Sequence, residues 1–242
     1  MFSGVPVIYG IDYLSSEATP QHQLGSIGVT HDGRKFRYAL NTSTALVAGN
    51  LIQANTEDTG DQALAVDAAA IGAFTVTTSS TVTVTANQYA NGYLAVAVTP
   101  GIGLYYRIKS HPAATAAVVT LTLFEPIEVA LTTSSRIDLV KNPYDNVIQA
   151  VGSATRTGAI LGVAPIALPA SEYGWIQTSG PANTLCEAGA AVVIGNLVVA
   201  SDSTAGAVQP AVNDTTELFP IVGRAMTGIA VNQCGLVYLS LE

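Results

Sequence analysis

Leu161-Gly-Val-Ala-Pro-Ile-Ala-Leu-Pro-Ala-Ser-Glu-Tyr-Gly-Trp-Ile-Gln-Thr-Ser-Gly180 breaks short apolar runs with Gly and Pro at close intervals. Ala191-Val-Val-Ile-Gly-Asn-Leu-Val-Val-Ala200, Ile221-Val-Gly-Arg-Ala-Met226 and Gly235-Leu-Val-Tyr-Leu-Ser-Leu-Glu242 continue the same cadence. Runs this short, with turn residues between them, suit strands of a small barrel or sandwich rather than helices.

The pattern extends towards the N-terminus. His31-Asp-Gly-Arg34 is a turn signal between Ile27-Gly-Val29 and Lys35-Phe-Arg-Tyr-Ala-Leu40. Phe36 and Tyr38 alternate with Lys35 and Arg37, the period of a half-buried strand. Phe74-Thr-Val-Thr77 and Thr81-Val-Thr-Val-Thr85 alternate strictly, and β-branched side chains fit a pleated surface. Asn91-Gly92 and Thr99-Pro-Gly-Ile-Gly103 mark turns around Tyr93-Leu-Ala-Val-Ala-Val98 and Leu104-Tyr-Tyr-Arg-Ile-Lys109. Residues 61–73 are Ala-rich, and a short helix and a loop both fit them. Lys141-Asn-Pro-Tyr-Asp-Asn146 interrupts the strand run as a boundary. The fold class expected is all-β: two small β-barrel or sandwich units, residues 25–140 and 147–242, preceded by an extended N-terminal arm over 1–24.

An internal echo crosses that boundary. Leu46-Val-Ala-Gly-Asn-Leu-Ile-Gln-Ala54 matches Val192-Val-Ile-Gly-Asn-Leu-Val-Val-Ala200. Gly-Asn between apolar runs favours a positive-φ corner, reached by duplication or by convergence on one turn.

Composition narrows the function. Only 11% of residues are charged, so part of the surface is expected to be covered by partners. A net charge of -8, with nine scattered Lys and Arg, argues against nucleic acid as a partner. Arg34, Lys35 and Arg37 read as a charged strand edge rather than a phosphate site. The first residues lack a basic region and a long apolar core, and residues 68–106, though free of Asp, Glu, Lys and Arg, are broken by Thr, Ser, Gly and Pro. A soluble chain made in a cytoplasm, without a membrane partner, is the expectation. Cys186 and Cys234 read as buried thiols, and Asn41 and Asn213 are chance sequons.

Catalytic chemistry finds no foothold. His31 beside Asp32 lies in a turn, and His111 ends a strand before Pro112 as a solvated loop residue. No nucleophile elbow, phosphate loop or zinc spacing occurs, and Gly101-Ile-Gly103 lacks the helix of a dinucleotide site. No catalytic, cofactor or metal residue is therefore expected. Glu57, Asp58 and Asp61 form an acidic loop that is either solvated or a Ca²⁺ site, and Asn213-Asp-Thr-Thr-Glu217 has the same two readings. Tyr89, Tyr93, Tyr105, Tyr106 and Trp175 are candidates for glycan contact; strand alternation puts Tyr105 and Tyr106 on opposite faces, and Trp175 suits a core anchor. In the arm, Val5, Val7, Ile8, Tyr9, Ile11, Tyr13 and Leu14 are too apolar for a free tail. They are expected to lie across the chain's own domain or a neighbouring subunit, as a contact segment.

Residues 157–242 carry a set of turn and strand features. They are Gly162-Val-Ala164, Pro169-Ala170, Tyr173-Gly-Trp-Ile-Gln177, Gly180, Gly195-Asn-Leu-Val-Val199, Ser203-Thr-Ala-Gly206 and Ile221-Val-Gly-Arg-Ala225 before a final apolar strand. As a set they resemble the bacteriophage capsid decoration (head cement) proteins. The first 150 residues match that pattern only around Gly49-Asn-Leu51. The resemblance implies a non-enzymatic virion protein on the capsid exterior, assembled in the host cytoplasm. It implies the major capsid protein and further copies of the chain, as a homotrimer, as partners. The alternative is a tail, fibre or surface β module that binds a host receptor or glycan.

Overall fold

A computed structural model of the chain describes residues 7–79, 83–115, 118–211 and 219–242. The fold is all-β. The only helical turn among the described residues is the 3-10 turn Thr59–Asp61. Residues 61–73 form no helix: the strand Leu64–Ala65 and a glycine corner occupy them.

The strands sort into two units, but not at the expected boundaries. One unit joins Met1–Thr56 to Pro143–Glu242, and the other is Glu57–Asn142 alone. The division into 25–140 and 147–242 is thus corrected: the second unit is an insertion in the first. The cause is long-range pairing, because Lys35–Leu40 lies antiparallel to the first half of Tyr173–Leu185, from Tyr173 opposite Leu40 to Gln177 opposite Phe36. The break read at 141–146 does mark the return to the first unit.

Tyr173–Leu185 is the spine of that unit. Its second half pairs with Cys234–Ser240, from Ser179 opposite Ser240 to Leu185 opposite Cys234. The two ladders overlap at Ser179, next to Gly180, whose φ of +87° suits glycine. The ladder continues through Ile221–Ala225 and Leu197–Ala200 to Val208–Pro210, and Val208 bridges Cys186 just past the spine. The sheet is therefore nearly closed into a barrel. Leu51, Val163, Val198, Val208, Val222, Val237 and Leu239 fill it. Alternation leaves Leu236 and Tyr238 outside. Around the first half of the spine, Trp175 joins Phe36 and Tyr38 in one cluster, and Ile176 joins Ile52, Leu161 and Leu168 in another.

The inserted unit is a six-stranded antiparallel sheet in the order Leu64–Ala65, Arg136–Val140, Tyr93–Val98, Tyr105–Ser110, Val118–Leu123, Thr75–Ser79. Val66 bridges Thr78, and Asp67 N–H donates to Thr77 O at 2.9 Å, so the two ends of the sheet meet. Gly92 passes so close to the end of Arg136–Val140 that a Cβ there would lie 2.2 Å from Val140 O.

One glycine corner recurs four times, at Gly25, Gly49, Gly72 and Gly195, with φ between +82° and +86°. In each, the glycine N–H donates to a residue of a returning strand: Tyr38, Ala164, Ile127 and Ala225 respectively. That residue's N–H donates back to the carbonyl after the glycine, at Ser26, Asn50, Ala73 and Asn196. Those residues donate in turn to Gln23, Val47, Ala70 and Val193. In three corners the returning strand also bridges the corner's start four residues later, as Leu46–Leu168, Ala69–Leu131 and Val192–Ile229. The sequence echo is thus one structural device. Its two echoing copies lie in the same unit, and a third lies in the insertion.

At Gly72 and Gly195 an added Cβ meets nothing within 4 Å, so substitution there reports backbone strain alone. Gly72→Ala and Gly195→Ala should each destabilise the chain by about 1–2 kcal/mol in urea unfolding. Gly49→Ala, whose Cβ meets Cys234 Sγ at 3.3 Å, should cost at least as much. A neutral or stabilising Gly195→Ala, as expected where Ala only restricts the unfolded chain, would show that the corner is not held left-handed.

Candidate functional site

The N-terminal segment is the best candidate for a contact surface. Val7–Tyr9 pairs in parallel with Ile27–Val29 and is the outermost strand of its sheet. Ser16–Glu17 pairs with Tyr173 and Gly174 of the spine. The segment is thus part of its own unit, which corrects the picture of an arm preceding the β units and settles that it lies on its own domain.

Side chains alternate along it. Ile8, Ile11 and Tyr13 turn inward onto Phe36, Tyr38 and Trp175. Gly28 permits this approach, since a Cβ there would lie 2.6 Å from Ile11 Cδ1 and 2.8 Å from Trp175 Cζ3. Val7, Tyr9 and Leu14 turn outward, at 48, 78 and 61% exposure. Val5 lies outside the described residues. The seven contact residues read from the sequence therefore divide into three anchors, three outward side chains and Val5.

Arg34 locks the anchors. Its guanidinium lies 4.6 Å from the Tyr13 ring centroid, and Nη2 donates to Tyr13 Oη at 3.0 Å. Its Nε donates to Asp32 at 2.8 Å. The Thr30 hydroxyl, and then Arg34, hold the Asp32 carboxyl below its ordinary range. Arg37 pairs with Glu242 at 2.7 Å and donates to Gly25 O at 2.8 Å. The expected charged edge is therefore corrected: Lys35–Leu40 is flanked on both sides, and Arg37 within it and Arg34 just before it are engaged internally. The edge is Val7–Tyr9, which carries no charge.

Beneath the segment, Tyr38 is fully buried and its hydroxyl donates to Glu17. Burial first, and then Glu17, push the Tyr38 hydroxyl well above its ordinary range. Tyr173 stacks on Tyr38 at 5.9 Å, and Trp175 meets it edge-on at 5.2 Å.

The other candidates take structural places. Tyr89, Tyr106 and Trp175 are buried, whereas Tyr93 and Tyr105 are exposed on the insertion. His111 is corrected from a solvated loop residue to a buried pin: its Nε2 accepts from Tyr89 N–H at 2.9 Å. His31 is exposed in the hairpin turn. The acidic loop is a clasp, with Asp58 2.6 Å from Lys141 Nζ and Asp61 accepting from Tyr89 Oη at 2.5 Å. Among the described residues, no group of three or more His, Cys, Asp or Glu is placed to hold a metal ion. The acidic stretch 213–217 lies outside the described residues, as does the Asn213 sequon. Asn41 is buried, its amide donating to Leu168 O and Pro169 O. Both cysteines are free thiols; Cys186 is buried, which raises its pKa, and Cys234 is exposed rather than buried.

Two outcomes follow. Removing residues 1–20 should destabilise the first unit by roughly 3 kcal/mol, about 1 kcal/mol for each partly buried anchor. Trp175, the only tryptophan, should then emit further to the red in equilibrium unfolding at low urea; unchanged emission and stability would mean the anchors carry nothing. The second outcome concerns alkali. The folded chain keeps the Tyr38 proton that an unfolded chain releases near the ordinary value of 10.0. That contribution is complete below this pH and declines as pH rises above it. Stability should therefore fall with rising alkali, less steeply in Tyr38→Phe; equal slopes would remove Tyr38 as a source.

Comparison with known proteins gives no relative: no family model, curated protein or solved structure matches the chain.

Proposed function

We propose that the chain is a non-enzymatic virion structural protein that decorates the outside of an icosahedral phage head. It acts as a homotrimer and clamps neighbouring capsomers through the major capsid protein. The observation that carries this reading is the exposed apolar row of Val7 and Tyr9 on an outermost strand, with Leu14 exposed further along the same anchored segment.

Natural proteins guard such edges with charge, proline or a cover, because an open strand recruits another chain. Val7-Ile-Tyr9 has neither charge nor proline, and its exposed apolar side chains fit a cover by another chain. Its order is established within the unit, so docking loses little conformational entropy. Val193 and Ile194, at the tip of the Gly195 corner, are 59 and 64% exposed and add apolar surface to the same unit. A stable interface takes roughly 800 Å² from each partner, and repeated copies on a lattice add avidity. The features of residues 157–242 that resemble decoration proteins support the same reading.

In purified particles of a phage encoding this chain, quantitative mass spectrometry should give a copy number in a simple ratio to the major capsid protein. A few dozen copies or fewer would place it in the tail or fibres, and absence would overturn the virion reading. Tyr9→Asp should weaken binding to undecorated heads about tenfold while Trp175 emission stays unchanged. Full binding by that variant would remove the row of Val7 and Tyr9 from the interface.

A further inference from the structure

The outer face of the inserted barrel carries an aromatic platform that the proposed lattice contact does not use. Tyr93–Val98 and Tyr105–Ser110 pair with Tyr105 opposite Ala95 and Arg107 opposite Tyr93. Strand alternation sends Leu94, Val96, Tyr106 and Ile108 into the core, leaving Tyr93, Tyr105 and Arg107 on the outer face. The Tyr93 and Tyr105 rings stand 6.0 Å apart at 72°, with exposures of 37 and 70%. Arg107 extends the row, its guanidinium 4.7 Å from the ring centroid of Phe124, which is also exposed.

Polar groups border these rings. The Arg107 side chain donates to Asn91 Oδ1 at 3.2 Å, and its backbone N–H donates to Glu125 Oε2 at 3.2 Å. Glu128 N–H donates to Tyr106 Oη at 3.1 Å, which sets that hydroxyl beside the cleft. Tyr93, Tyr105, Arg107, Glu125 and Glu128 line a cleft of about 520 Å³, within the range of small-ligand sites.

We propose that this cleft binds a neutral carbohydrate chain. A sugar ring presents apolar C–H groups on its face and hydroxyls on its rim. The face suits the exposed rings of Tyr93 and Tyr105, and the hydroxyls can donate to Glu125 and Glu128 and accept from Arg107. An apolar protein surface would strip water from two carboxylates and a guanidinium without replacing their hydrogen bonds, which is costly. A polyhydroxyl ligand replaces them. With two carboxylates against one guanidinium, the cleft disfavours acidic sugars. The inserted barrel is then a carbohydrate-binding module, and its role is independent of how the first unit is covered.

The test is isothermal titration calorimetry of the full chain with maltohexaose, cellohexaose, chitohexaose and mannohexaose, and with hexagalacturonic acid as the acidic control. Saturable binding to at least one neutral hexamer is expected, and none to the acidic one. Tyr105→Ala and Tyr93→Ala should each weaken it about tenfold with unchanged thermal unfolding. Both residues lie on the surface, so loss of binding is separable from loss of fold. Glu128→Gln should weaken binding less than either ring deletion. The proposal is overturned if no neutral hexamer saturates the chain, if the acidic hexamer binds more tightly, or if Tyr105→Ala binds like the parent.

Discussion

The pairing of Lys35–Leu40 with Tyr173–Ser179 is the constraint on which the first unit depends. It brings Phe36 and Tyr38 onto Trp175 and makes one sheet of two distant parts of the chain. It also forms the floor on which Ile8, Ile11 and Tyr13 rest, so Val7, Tyr9 and Leu14 are held outward only where this pairing exists. Backbone hydrogen bonds alone would leave its register weakly specified. The alternation of Phe36 and Tyr38 with Lys35 and Arg37 fixes it, because a slip of one residue would bury two charges and expose two aromatic rings.

The glycine corners reveal how one local device serves two barrels. A left-handed glycine turns the chain, two backbone hydrogen bonds tie the corner to a returning segment, and a third closes the turn itself. The burial pattern recurs with the backbone: Leu46, Ala69 and Val192, three residues before the glycine, are buried, whereas Val47, Ile71, Val193 and Ile194 face outward. Backbone groups, one glycine and a buried apolar residue of no fixed type make the corner. Such a device leaves a faint sequence trace, and the Gly72 copy shows it: Ala69-Ala-Ile-Gly-Ala-Phe74 keeps the geometry without the Gly-Asn signature of its two relatives.

Local pattern is legible in this sequence, and long-range pairing is not. Strand periodicity placed Phe36, Tyr38, Trp175 and the opposite faces of Tyr105 and Tyr106, because alternation is a property of neighbours in sequence. The insertion was hidden because a strand's partner is not encoded in its own period; nothing within residues 35–40 points to residues 173–179. His111 was read as solvated for the same reason, since its partner is Tyr89 N–H on another segment. The apolar N-terminal residues are legible as too apolar for a free tail, but only the structure separates anchors from outward side chains. The Tyr93–Tyr105–Arg107 platform was half visible, because the type and alternation of the rings could be read but their company of Arg107, Glu125 and Glu128 depends on strand register.

A closed insertion also changes what the first unit must overcome to fold. Joining Thr56 to Pro143 through an unstructured segment of that length would add loop-closure entropy to every contact between the two parts. The inserted sheet closes on itself, with Val66 bridged to Thr78. Its two chain ends are held together by Asp58 with Lys141 at 2.6 Å and by the pairing of Leu64 and Ala65 with Ile137 and Arg136. A partly exposed ion pair contributes little by itself. Added to a packed core of Leu94, Ile108, Leu121, Ile137 and Leu139, it fixes where the chain leaves and re-enters. Once this barrel has formed, the first unit meets a short connection in place of a long loop. An insertion with joined ends can therefore carry a surface of its own, such as the aromatic platform, while lengthening the chain at little entropic expense to the pairing of Lys35–Leu40 with the spine.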